Sequence, residues 1–217
     1  MQLSTRPILI SLLVLLGAYF SFGLRTQLNV WGNNVEFWRQ NVRLHDRARG
    51  DVGEMLHGNL ARALLREGDT DGAFQAMRGG VAKRATGSED TTYGGRYALG
   101  TIYYDLGHSF KEGGEMSYGV EAYRESLSCN PSYVKSLVNL GNAFVEMGKT
   151  DEAMVYLRRA TEVEGGGDAQ VWYSLGNCWV RMGEREKGVE AFKMALDRVE
   201  KDARGRAMIE RTIQKFS

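Results

Sequence analysis

The chain has 217 residues, 43% of them apolar, with two prolines, 27 glycines and a formal charge of +1. A near-neutral chain of this make-up carries no nucleic-acid footprint, and Cys129 and Cys178 stand too far apart for a zinc pattern or a disulfide-rich scaffold. The charge is nonetheless split: residues 1–50 hold six arginines against Glu36 and Asp46, leaving 22 basic and 25 acidic residues in the remainder.

The first element is an uncharged run from Pro7 to Leu24, bracketed by Arg6 and Arg25. As a helix it spans about 27 Å at 1.5 Å per residue, just short of a hydrocarbon core of roughly 30 Å. Its eleven Leu, Ile, Val and Phe residues outweigh two Ser and two Gly, so insertion is favourable. Residues 1–25 therefore read either as a single transmembrane anchor or as a cleaved signal peptide with Ser21-Phe22-Gly23 as the small-x-small site. Tyr19, Phe20 and Phe22 prolong the run beyond a usual leader and suit a membrane interface, which favours the anchor. The arginines that follow the run outnumber the one before it, and this count places the body on the cytoplasmic side.

Residues 26–50 follow as a connecting helix. Val30, Trp31, Val35, Trp38 and Val42 recur by threes and fours and make one apolar stripe, with Arg39, Arg43 and Arg47 on another face. Such a helix either packs on the next element with its basic side in water, or lies on the bilayer with Trp31 and Trp38 at the interface and Arg39 and Arg43 against anionic lipid.

From residue 51 onward the chain repeats itself. Leu140-Gly141-x-x-Phe144 is followed by Gly148, Ala153, Leu157 and Ala160. Leu175-Gly176-x-x-Trp179, 35 positions later, is followed at the same offsets by Gly183, Gly188, Phe192 and Ala195. Each set describes two antiparallel helices, close where Gly or Ala of one faces a large side chain of the other. A glycine inside a helix costs about 1 kcal/mol relative to alanine, so its recurrence in one slot has a packing reason. Gly148 and Gly183 fall where a left-handed residue ends the first helix. Two earlier units are less regular: Leu60-Ala61-x-x-Leu64 with Gly68, Ala73 and Met77, and Leu99-Gly100-x-x-Tyr103 with Gly119, Tyr123 and Ser126, closing at Pro131. The second holds about seven extra residues, which makes Gly107 to Ser117 a loop. The expected units are 54–87, 93–133, 134–167 and 169–202, with 203–217 as a capping helix through Ile209, Ile213 and Phe216.

This order of small and large residues resembles the tetratricopeptide repeat (TPR) family. The resemblance implies an all-α, right-handed TPR superhelix of about four helix pairs plus a cap, preceded by a single transmembrane helix. Its first helices line a concave face. Taking Leu-Gly as reference, Lys135 and Gln170 lie five before Leu, Asn139 and Ser174 one before it, and Asn142 and Asn177 one after Gly. Asparagine in equivalent slots offers both donor and acceptor to an extended peptide backbone, or alternatively cross-links neighbouring helices. Chaperone-binding relatives hold a terminal carboxylate with Lys, Asn and Arg; here the slots carry Tyr97, Thr101, Asn139, Gln170 and Ser174, which argues against that ligand.

A second resemblance rests on Arg25-Thr26, Trp31 and Phe37-Trp38-Arg39 ahead of the repeats, which are similar to the C-terminal part of multi-span O-mannosyltransferase-like membrane proteins. It implies repeats facing the periplasm or lumen, against the arginine count. The upstream spans that bear that family's catalytic acids are not in this sequence, so its activity does not transfer.

The residues themselves form no catalytic, cofactor or metal constellation. His45, His57 and His108 have no partner at ligand spacing, and Gly113-Gly114 and Gly165-Gly166-Gly167 lack the strand and the Lys-Ser/Thr of a phosphate loop. The sequence reads as a membrane-anchored scaffold, not an enzyme, that needs no cofactor and binds a protein partner and membrane lipid. The alternative is an accessory TPR module of a polytopic glycosyltransferase that presents protein acceptor.

Overall fold

The computed structural model describes residues 34–45, 50–85, 93–163, 167–199 and 203–216. The expected anchor or leader at 1–25 and Trp31 lie outside them. The described residues form ten helices and no strand: α1 (Asn34–Leu44), α2 (Gly50–Arg66), α3 (Thr70–Ala85), α4 (Tyr93–Glu112), α5 (Met116–Cys129), α6 (Val134–Glu146), α7 (Thr150–Glu162), α8 (Ala169–Arg181), α9 (Arg185–Arg198) and α10 (Ala203–Phe216). None of these is long and apolar enough to cross a membrane.

α2–α3, α4–α5, α6–α7 and α8–α9 are antiparallel pairs joined by turns of one design. A glycine at positive φ ends each first helix: Gly68 (81°), Gly114 (88°), Gly148 (75°) and Gly183 (87°). The next residue's N–H then reaches back to a carbonyl five residues earlier, as Asp69 to Leu64 (3.0 Å), Glu115 to Phe110 (2.9 Å), Lys149 to Phe144 (2.8 Å) and Glu184 to Trp179 (3.0 Å). This is the Schellman arrangement, in which the left-handed residue lets the chain reverse while the last carbonyls stay bonded.

Within the third and fourth pairs the close approach falls on the expected glycines. A Cβ on Gly141 would stand 2.6 Å from Leu157 Cγ, and one on Gly176 would stand 2.6 Å from the Phe192 ring. The second unit departs from the expected register. Gly107 does not open a loop; it lies inside α4, where an added Cβ would meet the Tyr123 ring at 2.7 Å. Gly119 in turn faces the Gly107 carbonyl, as Gly188 faces that of Gly176. The signature of this unit is thus Leu106-Gly107-x-x-Phe110, and Gly113 to Glu115 alone make the turn. The extra residues are two added turns at the start of α4, which has 20 residues where α6 and α8 have 13. The physical reason for the difference is the heptad. Seven residues make almost two helical turns, so Leu99-Gly100-x-x-Tyr103 repeats the same face one step earlier, and Gly100 packs more loosely against Ser126, Cys129 and Asn130.

Among the described residues the interior runs along the stack as three successive clusters. Val35, Leu64, Met77, Leu99 and Phe110 lie in the first, Leu140, Phe144, Leu157 and Val171 in the second, and Phe192, Ala195 and Ile209 in the third. α1 closes one end, with Trp38 and Val42 against the first cluster. α10 closes the other, through Ile209, Ile213 and Phe216, whose ring stacks 6.3 Å from that of Phe192.

Candidate partner-binding groove

First helices touch their successors directly: α2 meets α4, α4 meets α6 and α6 meets α8. They therefore form one continuous wall, and the slots that flank each reference pair come into rows. One residue after the reference small residue stand Arg62, His108, Asn142 and Asn177; one before the reference leucine stand Asn59, Asp105, Asn139 and Ser174. His108 and Asp105 were missed by the sequence reading because the second unit's register was displaced by a heptad. Tyr97 and Thr101, assigned to clamp slots on that displaced register, lie in the first half of α4, with Tyr97 edge-on to Tyr133 at 6.4 Å between centroids.

The rows differ in character along the wall. In the first half they are charged except at Asn59, whose amide donates to the Met55 carbonyl: Arg62 pairs with Asp105 at 3.6 Å, both lining a cleft of about 490 Å³ with Arg66 and His108. His108 Nε2 lies 3.4 Å from a Glu112 carboxylate oxygen. In the second half they are neutral, three amides and the Ser174 hydroxyl. Asn142, Gln170, Ser174 and Asn177 line a cleft of about 670 Å³ with Tyr173, Val145, Val180, Met208 and Phe216. Its charged rim is Lys111, Glu146 and Arg181, of which Lys111 and Glu146 bond each other at 2.6 Å.

Lys135, Asn139 and Gln170 line an adjoining cleft of about 120 Å³ with Tyr104 and Asp168. Asn139 Nδ2 donates to the Tyr104 hydroxyl at 3.4 Å, so this amide links two helices, while Asn142, Gln170 and Asn177 make no side-chain bond to another described residue. All six sequence-selected groove residues thus fall on two neighbouring hollows that share Gln170. Of the four residues assigned to a membrane interface, Trp38 packs against the first repeat and meets Phe37 edge-on at 5.1 Å. Arg39 and Arg43 are exposed, and Trp31 lies outside the described residues.

Behind the wall lies a charged cluster that no periodicity announces. Glu54 is fully buried, and its carboxylate accepts two bonds from Arg84 Nε at 3.0 and 2.9 Å and a further one from Nη2. Arg84 Nη1 donates to Glu125 at 3.0 Å and to the Ser128 hydroxyl at 2.6 Å, and its guanidinium lies 5.7 Å from the Tyr103 ring centroid. Burial raises the Tyr103 phenol far above its ordinary range, and the neighbouring Glu54 carboxylate adds to the rise. Burial also pushes the Cys129 thiol up to about 11 and raises that of Cys178. Both cysteines are free and buried, so neither supplies a thiolate nucleophile near neutral pH. Among the described residues no group of three His, Cys, Asp or Glu could hold a metal ion.

Comparison with known proteins agrees with this architecture. Residues 122–154, from within α5 to the start of α7, match the tetratricopeptide repeat family. The chain is 23% identical over 176 residues to the Protein CTR9 homolog of Arabidopsis thaliana, a match that covers 77% of this chain and 15% of that protein. Among solved structures it is similar to the MamA protein, with a TM-score of 0.59 and 19% identity over 83% of this chain and 88% of that one. It is also similar to YrrB, described as a TPR protein with an unusual peptide-binding site, with a TM-score of 0.59 and 16% identity over 87% of this chain and 88% of that one. At these identities the likeness is one of fold. Paired helices, four glycine turns of one design and a glycine at the close approach of the last three pairs give the described residues a helical-repeat fold like that of the solved tetratricopeptide-repeat structures, and residues 122–154 carry the match to that family.

Proposed function

We propose that the chain is a scaffold that holds a protein partner through an extended segment laid along the first helices, and that its N-terminal run tethers it to a membrane, where it assembles or stabilises a complex. One observation carries the groove reading. Asn142, Gln170 and Asn177 converge on a single cleft with their donors and acceptors unspent on the described chain. Asn142 and Asn177 are half-buried, where amides ordinarily find partners, and Gln170 is exposed beside them; three amides along one wall match the donors and acceptors of a peptide backbone. The similarity to a solved TPR protein described as having a peptide-binding site is in keeping with this. The tether rests on the sequence alone: eighteen residues without charge, from Pro7 to Leu24, between two arginines. The resemblance carried by Phe37-Trp38-Arg39 favours a body on the periplasmic or lumenal side.

The test places a photo-crosslinking residue at Asn177, and separately at exposed Val155 on α7, in the full chain within its native membranes. A discrete adduct from position 177, absent from 155 and weakened at least several-fold by Asn142→Ala, is expected. Equal labelling from both positions would remove the groove reading. Intact mass of the same purified chain is expected to retain residues 1–25, and sedimentation with membranes after a urea wash is expected to persist.

A further inference from the structure

The capping helix does more than cover the last repeat. Met208 is half exposed and, with Phe216, lines the same cleft as Asn142 and Asn177. A cap needs a polar outer face for solubility, and α10 is apolar where it meets the cleft, at Met208 and Phe216. Here the cleft has two unlike walls: amides and a hydroxyl from α6 and α8, and an apolar surface made by Tyr173, Val180, Met208 and Phe216. In an extended chain successive side chains point to opposite sides, so backbone groups can meet the amides while one side chain enters the apolar wall.

Length fits as well. From Gln170 to Arg181 the cleft follows α8 for about 16 Å at 1.5 Å per residue, the reach of about five extended residues. Charge is the third constraint. Lys111 is neutralised by Glu146 on the rim, whereas no described carboxylate pairs with Arg181. The carbonyl end of α8 offsets about half a charge there, which leaves the guanidinium in excess and available to an acid.

Resting on the groove reading above, we infer that α10 forms one wall of the binding cleft, and that the cleft selects an extended protein segment in which a large apolar side chain stands close to an acidic one. Met208 and Phe216 take the apolar group, Asn142 and Asn177 hold the backbone, and Arg181 reads the acid.

Selection of displayed random nonapeptides on the purified full chain in detergent tests this. The expected peptides pair Leu, Met or Phe with Asp or Glu within a few positions. Arg181→Glu is expected to exchange the acid for Lys or Arg among the selected peptides, and Met208→Lys to weaken the wild-type winners at least tenfold. Both residues are exposed, and an unchanged melting temperature would show that the fold is intact. Peptides that depend on Asn142 and Asn177 but show no acidic or apolar preference, or whose binding ignores both substitutions, overturn this inference and leave the groove reading standing. If no peptide is recovered, or if Asn142→Ala with Asn177→Ala leaves binding unchanged, both fall together.

Discussion

A single missing methyl group sets the spacing within each helix pair. Gly107, Gly141 and Gly176 occupy one slot, and in each a Cβ would come within 2.7 Å of a large side chain from the second helix. Two effects oppose each other when alanine replaces such a glycine. Helix propensity gains about 1 kcal/mol, while forcing atoms into a packed core costs about 1–3 kcal/mol. At Gly107 the obstacle is the rigid Tyr123 ring, fully buried and unable to swing aside, so overpacking wins. At Gly100 the nearest atom is Asn130 Cβ at 3.3 Å, so the two effects nearly cancel. Gly107→Ala is therefore expected to lower stability by about 1–2 kcal/mol and Gly100→Ala to change it by less than about 0.5 kcal/mol. Thermal or urea denaturation of the two variants checks this. The opposite order would return the unit to the Leu99-Gly100 register.

At the scale of elements, the first two units are fastened by charge where the last two are fastened by shape. Arg84, from the last turn of α3, reaches Glu54 in α2 and both Glu125 and Ser128 in α5. Its side chain is 17% exposed and that of Glu54 is 0% exposed, so removing Arg84 strands the Glu54 charge in the interior, whereas Arg84 without Glu54 would still pair with Glu125. Breaking such a pair costs about 3–5 kcal/mol, whereas replacing both members by apolar groups is often close to neutral. Arg84→Met is expected to cost about 3–5 kcal/mol, and Arg84→Met with Glu54→Leu to cost clearly less, as measured by a double-mutant cycle in urea.

None of this clamp is legible in the sequence, because positions 54, 84 and 125 share no period and each reads as an ordinary surface charge. What is legible follows from periodicity: the turn glycines at 148 and 183, the nested Gly141 and Leu157, and the apolar side of α10 each repeat at fixed offsets. Periodicity also explains the one misplaced element. A helix lengthened by a heptad repeats its own face, so Leu99-Gly100 and Leu106-Gly107 are equivalent on α4, and only the partner residue Tyr123 distinguishes them. The groove was legible for its amides, which sit in the two regular units. Its charged half, at Arg62 and Asp105, depended on the displaced register, and Met208 depended on how α10 is turned in space.

At the scale of the whole molecule, the interior is a row of clusters in which each helix pair touches mainly its neighbours. In such an array stability is close to a sum of unit and interface contributions, and unfolding can begin at an end. The C-terminal end is the weaker candidate to resist it. Among the described residues its cluster has three buried members, Phe192, Ala195 and Ile209, while each of the other two has many more. Ile209 is the buried anchor of α10 in this cluster, so its truncation removes the cap's main attachment. An Ile→Ala change in a core costs about 2–5 kcal/mol, enough to detach α10 and expose Phe192 without reaching Leu64 or Met77 at the other end. Hydrogen exchange on Ile209→Ala is therefore expected to accelerate in α10 and α9, to change little in α6 and α7, and to leave α2 and α3 as protected as in the parent chain. Uniform loss of protection from α2 to α10 would mean that the stack unfolds as one cooperative block. The same variant bears on the groove, because α10 supplies Met208 and Phe216 to the cleft: peptide binding should fall in step with exchange in α10, at temperatures where the first units remain folded.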